Sequence, residues 1–180
     1  MSEFKDKRVV HSSILKKIKV LAMDVDGVLT DGVIYLDKKG DEFKTFHALD
    51  GLGIVLAKKS GLRTALISAR ESLALTRRAK ELGVDALYQN RLEKKEAFLD
   101  LVRKFSVTPK EVCYVGDDLI DLVILRQVGF PVAVSNAVEE VKEHSFYVTS
   151  HSGGRGAVRE VIEMILKAQG KWEEIVEKYL

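Results

Sequence analysis

Disulfide bonding within the chain is excluded at the outset, because Cys113 is its single cysteine. A lone thiol inside an apolar run reads as inert core and fits a reducing compartment. Proline is nearly absent, with 2 among 180 residues, while 46% of the residues are hydrophobic. That combination excludes a disordered or proline-rich chain. No charge of one sign dominates either: 29 Lys and Arg stand against 27 Asp and Glu, for a net charge of +2. Electrostatic binding of nucleic acid or of an anionic membrane needs clustered positive excess, so neither partner is expected. No apolar run nears the roughly 20 residues that cross a bilayer. Residues 1–19 are charged and lack the apolar stretch of a secretion signal. The expectation is a soluble, cytoplasmic protein folded as one domain over residues 1–180.

What the chain does contain is an alternation of short apolar runs with longer amphipathic stretches. Residues 20–25 are apolar except for Asp24, the pattern of a strand buried on both faces. Two extended segments, 33–36 and 42–46, flank the polar loop Asp37-Lys38-Lys39-Gly40-Asp41 and predict an inserted β-hairpin over 33–46. Asp50 is placed to cap a helix running to Ser60 and stopped by Gly61. Further strands are predicted over 63–67, 86–88, 112–115, 131–134 and 146–148. Helices are predicted over 71–82, 92–105, 119–128, 157–168 and 172–179, the last two forming a tail over 151–180. Thr108-Pro109-Lys110-Glu111 reads as a capped single turn. Repeated strand–helix units imply the α/β class, with a Rossmann-like, doubly wound parallel sheet. In such sheets chemistry gathers beyond the carboxyl ends of the strands.

Those ends carry Asp24-Val25-Asp26-Gly27, Ser68-Ala69-Arg70, the stretch to Lys94-Lys95, and Gly116-Asp117-Asp118. Ionising Asp24 at the end of an apolar run costs several kcal/mol unless a cation or several donors compensate. The period of two along a strand sends Asp24 and Asp26 the same way, and Asp117 and Asp118 arrive from another strand. Any one of these aspartates alone reads equally as a helix cap or turn former. Both pairs together point to a divalent metal, and hard oxygen ligands select Mg²⁺.

The stretch Asp24-Val25-Asp26-Gly27-Val28-Leu29-Thr30-Asp31-Gly32 resembles the first motif of the haloacid dehalogenase-type phosphatases. Ser68 resembles their second motif, Lys94 their third, and Gly116-Asp117-Asp118-Leu119-Ile120-Asp121 their fourth, all in family order. Spacing from Tyr88-Gln89 favours Lys94, with Lys95 left as the alternative. Asp50-Gly51, Gly153-Gly154-Arg155-Gly156-Ala157-Val158-Arg159-Glu160 and Ala168-Gln169-Gly170-Lys171 are similar to the 3-deoxy-D-manno-octulosonate 8-phosphate phosphatases. The resemblance implies Asp24 as nucleophile, Asp26 as general acid and base, and Ser68 and Lys94 as phosphoryl contacts. It implies Mg²⁺ held by Asp24, the main-chain carbonyl of Asp26, and Asp117. Asp118 and Asp121 are expected behind these, one orienting ligands and the other capping or facing the core.

For substrate, the resemblance implies contacts from Asp26, His47, Ala48, Leu49, Asp50, Gly51, Arg70, Arg78, Lys94 and Arg155 with a sugar-acid phosphate. His47 read alone is a hydrogen-bonded structural histidine, and each arginine read alone is a solvated one. Arg155 among Gly153, Gly154 and Gly156 suggests a flexible arm that settles over the site. The hairpin and one helix use up the chain between Asp24 and Ser68, and no space remains for a cap domain there or between Lys94 and Asp117. Water must then be excluded by neighbouring subunits, and the apolar Val33, Tyr35, Phe43 and Phe46 suggest a hairpin that packs on partners. The resemblance implies a homotetramer acting in lipopolysaccharide precursor synthesis. Two alternatives stand beside it: a phosphatase for another nonulosonate or sugar-acid phosphate, and an inactive oligomerisation or regulatory module. Retention of Asp24, Asp26 and Lys94 speaks against the latter.

Overall fold

The computed structural model describes residues 12–40 and 42–180, so the readings made for residues 1–11 and for Asp41 lie outside the described residues. In chain order the elements are β1 (Val20–Met23), a hairpin of β2 (Tyr35–Leu36) and β3 (Glu42–Phe43), α1 (Ala48–Lys59), β4 (Arg63–Ile67), α2 (Leu73–Leu82) and β5 (Ala86–Tyr88). There follow α3 (Lys94–Phe105), β6 (Val112–Gly116), α4 (Leu122–Leu125), β7 (Phe130–Ala133), α5 (Glu139–Glu143), β8 (Tyr147–Val148), α6 (Ala157–Ala168) and α7 (Trp172–Glu177). Six strands form one parallel sheet in the order β5-β4-β1-β6-β7-β8. Every residue of β1, β6 and β7 is buried, which requires cover on both faces and explains their unbroken apolar runs. Helix α1 packs on α6, and α3 on α4.

The chain leaves β1 toward β4 and β5 on one side, then returns to β6 on the other. That reversal opens a crevice at the carboxyl end of β1. The register pairs Met23 with Leu66 of β4 and Val115 of β6, so Asp24, Ser68 and Asp117 emerge along one edge. Between β1 and β4 the described residues form only the hairpin and α1, and no cap domain is present among them.

Local chemistry sets the ends of several elements. The Ser72 side chain accepts from Leu75 N–H at the start of α2, and Gly83 closes it at φ 68°. Pro109–Glu111 is the single turn expected, 3₁₀ in form, with Thr108 and Glu111 satisfying each other's backbone amides.

Three expectations are corrected. Helix α1 starts at Ala48 with His47 before it, so Asp50 lies inside its first turn and does not cap it. The helix expected over 119–128 is split into a 3₁₀ turn, Leu119–Asp121, followed by α4, because the Asp118 and Asp121 carboxylates bind nearby amides and tighten the chain. The hairpin strands hold only two residues each, since the chain turns inward after Phe43 and delivers Lys44 to Asp26.

Candidate active site

Asp24 leaves the end of β1 buried, and its own N–H donates to Val115 O at 3.0 Å. Lys94, the first residue of α3, is fully buried and points inward. Its ammonium lies 2.6 Å from Asp24 Oδ1 and 2.7 Å from Asp121 Oδ1. Lys95 faces solvent, so the alternative left open in the sequence resolves to Lys94. Asp121 is saturated: Oδ1 also accepts from Tyr114 Oη at 2.6 Å, and Oδ2 accepts from the amides of Asp117 and Asp118 at 3.0 and 3.3 Å. It therefore orients Lys94 and the Asp117 loop, while the Asp118 side chain accepts from Leu119 N–H at 2.7 Å and caps the 3₁₀ turn.

Burial pushes the Asp24 carboxyl up to about 6, with the Lys94 ammonium opposing and the Asp121 carboxylate adding to the rise. Burial, then Asp24 and Asp121, push Asp117 up to about 8. Burial alone would lower Lys94, but the two carboxylates beside it outweigh that and hold its ammonium above the ordinary lysine range. These carboxylates need a cation beyond Lys94 to ionise together.

The residues present fit a divalent ion. Asp24, Asp117 and Asp121 each offer an oxygen within 4.8 Å of the others. Asp121 is already engaged, whereas Asp117 Oδ1 is buried without a partner. Gly27, at φ +99°, keeps the place clear: a Cβ there would fall 2.0 Å from Asp117 Oδ2. An all-oxygen donor set of this kind suits Mg²⁺.

Ser68 is buried just past β4, and its Oγ accepts from Arg70 N–H at 3.1 Å. Asp26 sits nearer the surface, and its Oδ1 is paired with Lys44 of the hairpin. Lys44 also lies 2.8 Å from Glu42, whose second oxygen holds Arg70 at 2.6 Å. Burial alone would raise Glu42, but the hydrogen bonds from Lys44 and Arg70 hold it below the usual carboxylate range. Sequence reasoning missed Glu42 and Lys44. The period of two that places both on one hairpin face, opposite Phe43, was the signal available.

The remaining expected contacts divide. Arg78 packs over Phe46, 5.9 Å from its ring centroid, and against Gly51, where a Cβ would meet its guanidinium at 2.2 Å. His47 stands 3.9 Å from Asp50, with its Nδ1 buried and unpartnered. Ala48 and Leu49 are exposed on the first turn of α1. Asp50 is fully buried, and its oxygens accept from Gly156 N–H at 3.1 Å and Arg159 N–H at 2.8 Å. Its carboxylate thus caps α6. Burial raises Asp50, with those two amides opposing.

Arg155 is 70% exposed, with its guanidinium 3.9 Å from Asp31. Gly153 and Gly154, just before it, are tightly packed. A Cβ on Gly153 would lie 1.7 Å from Gly27 O, and Gly154 at φ +63° donates to Val28 O at 2.9 Å. Gly153 N–H is held by Asn136 Oδ1 at 2.8 Å. These glycines answer to close approach of two backbones, which corrects the expectation of a loose arm.

Comparison with known proteins agrees with this geometry. A family model for haloacid dehalogenase-like hydrolases matches residues 84–162. The 3-deoxy-D-manno-octulosonate 8-phosphate phosphatase KdsC of Escherichia coli (strain K12) is 45% identical over 159 residues, covering 88% of this chain and 85% of its own. The 3-deoxy-D-manno-octulosonate 8-phosphate phosphatase of Moraxella catarrhalis, solved with magnesium ion, phosphate ion and KDO, superposes with a TM-score of 0.93 at 41% identity. That match covers 95% of this chain and 98% of the other. The cobalt-bound phosphatase of Haemophilus influenzae superposes with a TM-score of 0.86 at 42% identity, covering 88% of this chain and 93% of the other. With its sheet order, its strand-end aspartates and this degree of identity, the chain belongs to the 3-deoxy-D-manno-octulosonate 8-phosphate phosphatase family of the haloacid dehalogenase-like hydrolases.

Proposed function

We propose that the protein is a Mg²⁺-dependent phosphatase that hydrolyses 3-deoxy-D-manno-octulosonate 8-phosphate to the free sugar acid and phosphate, in lipopolysaccharide precursor synthesis. The observation that carries this reading is the pairing of Asp24 with buried Lys94 beside Asp117, at the switch point of the sheet. Asp24 attacks phosphorus in line, its oxygen–phosphorus bond forming as the bond to the sugar oxygen breaks. The departing electron pair goes to the sugar oxygen, which takes a proton from Asp26. In the second step Asp26 takes a proton from a water that attacks the aspartyl-phosphate, releasing Asp24 and phosphate. Lys94 and Ser68 hold the phosphoryl oxygens, and Lys94 offsets their charge. Mg²⁺, held by Asp24, Asp117 and the main-chain carbonyl of Asp26, supplies the charge neutralisation that lets an anionic nucleophile meet an anionic ester.

Arg70, Arg78, Arg155, His47, and the backbone of Ala48, Leu49, Asp50 and Gly51 border the sugar acid in this reading. A homotetramer in the cytoplasm completes it, with neighbours covering sites that lack a cap. Support for assembly comes from the hairpin, where Val33, Ile34, Leu36 and Phe43 are all exposed.

Phosphate release from a panel of sugar-acid phosphates, with Mg²⁺ and with excess chelator, tests the proposal. The octulosonate ester should be the preferred substrate, silent in chelator and restored by Mg²⁺. Asp24→Asn should abolish turnover with thermal stability unchanged or raised, because it removes a buried carboxyl. Full activity in chelator, or a tenth of wild-type turnover in Asp24→Asn, would overturn it.

A further inference from the structure

Two lysines, not one, are withdrawn from solvent at the site. Lys94 belongs to the recognised motifs and pairs with Asp24. Lys44 comes from the hairpin, where a lysine is ordinarily solvated, yet its side chain is only 5% exposed. Burying an ammonium is unfavourable unless it is paired, and Lys44 is paired twice, with Asp26 Oδ1 and with Glu42. Glu42 is in turn held by Arg70, so a chain of alternating charges runs from Asp26 to the mouth of the site. Tyr35 stacks on Phe43 with ring centroids 5.1 Å apart, and Tyr35 Oη donates to Asp31 Oδ2 at 3.2 Å. The hairpin that carries Lys44 is thereby tied to the loop that carries Asp26.

We propose that Lys44 is a positioning residue for Asp26 in the leaving-group step, holding Oδ1 so that Oδ2 faces the departing oxygen. This rests on the proposed phosphatase reading. In that step the Asp24–phosphorus bond forms, the phosphorus–sugar oxygen bond breaks, and the proton on Asp26 Oδ2 passes to the sugar oxygen with its new electron pair. An ammonium can donate to Oδ1 before the transfer and pair with the carboxylate left after it. Lys44 thus serves Asp26 as Lys94 serves Asp24. A primary alkoxide cannot depart readily without that proton, whereas 4-nitrophenolate can. The contribution of Lys44 is therefore specific to the alkyl ester.

The test compares first-step rate constants, by single-turnover release of the alcohol or phenol, for the octulosonate 8-phosphate and for 4-nitrophenyl phosphate. Lys44→Met and Lys44→Arg are placed in wild-type and Asp26→Asn backgrounds, with Mg²⁺ present. In Lys44→Met the ratio of sugar-ester to aryl-ester rates should fall on the order of ten- to a hundredfold, a share of what general-acid catalysis supplies. Lys44→Arg should restore most of that ratio. In the Asp26→Asn background Lys44→Met should change it less than about threefold, since residues acting as a unit are not additive. Should Lys44→Met fail to fold, Lys44→Gln reads the same ratio. An unchanged ratio, equal falls for both esters, or a full effect without Asp26 would overturn the role of Lys44 alone. Wild-type protein without sugar-phosphate turnover would instead sink the phosphatase reading, and the role of Lys44 with it.

Discussion

Asp24 is buried and Asp117 half-buried beside it; burial, joined at Asp117 by the neighbouring carboxylates, moves them from an ordinary 3.8 to about 6 and about 8. A carboxyl raised on folding stabilises the native state while both states hold the proton, and that contribution is lost as pH rises through the folded value. Metal-free protein should therefore lose stability progressively from about pH 4 to about pH 8 through these two groups. Mg²⁺ binds the ionised forms, so it should raise the melting temperature more at about pH 8 than at about pH 5, with proton release near pH 7. Thermal melts in chelator and in Mg²⁺, with calorimetry in buffers of different ionisation enthalpy, measure both effects. Asp117→Asn should flatten much of the metal-free slope. A slope that is the same in Asp117→Asn as in wild type would show that Asp117 does not carry it.

At the scale of elements, the tail decides the shape of the site from behind. Asp50 reaches from α1 to the first amides of α6, where the helix dipole and unpaired N–H groups favour a carboxylate. Gly153 lies backbone to backbone against Gly27, the residue that leaves space for the Asp117 carboxylate. Gly153→Ala should push that loop out of place, because its Cβ would overlap a main-chain carbonyl that no rotamer change can move. We expect turnover to fall at least about tenfold, the cost of moving reacting groups by an ångström or less, with Mg²⁺ needed at higher concentration. Kinetics across a Mg²⁺ titration check this. Wild-type kinetics in Gly153→Ala would mean the tail does not shape the metal loop.

The whole molecule leaves its hairpin outside the packed core. Leu36 is 61% exposed and Phe43 51%, on an element with only two residues per strand. A hairpin that short has little stability of its own, and an apolar cluster at its surface favours association. Because the same hairpin carries Lys44 to Asp26, the proposed assembly and the chemistry would share one element. Leu36→Asp with Phe43→Asp should break the proposed tetramer, giving a species near 20.1 kDa by light scattering where wild type gives about four times that mass. Sugar-phosphate turnover should fall with it. A double variant that retains both the wild-type mass and activity would remove the hairpin from the interface.

The alternation of apolar runs and amphipathic stretches determined the order of the strands and of the longer helices along the chain by itself. It also located Asp24, Ser68 and Asp117 at strand ends, because period and run length are local properties of a chain. Helices with their own stop signals, such as α2 between Ser72 and Gly83, were legible for the same reason. The five-residue α5 was not, being too short to show a period, and α4 was legible only as part of a longer helix over 119–128. Only the tertiary structure decided between Lys94 and Lys95, since adjacent residues on a helix point about 100° apart and packing alone selects the buried one. It also turned Asp50 from the expected cap of its own helix into the cap of α6, more than a hundred residues away in sequence. It made Gly153 and Gly154 a packing surface for the loop at Gly27, and it brought Lys44 to Asp26. Each of these depends on two distant segments meeting, and neither segment carries the other's position in its local pattern.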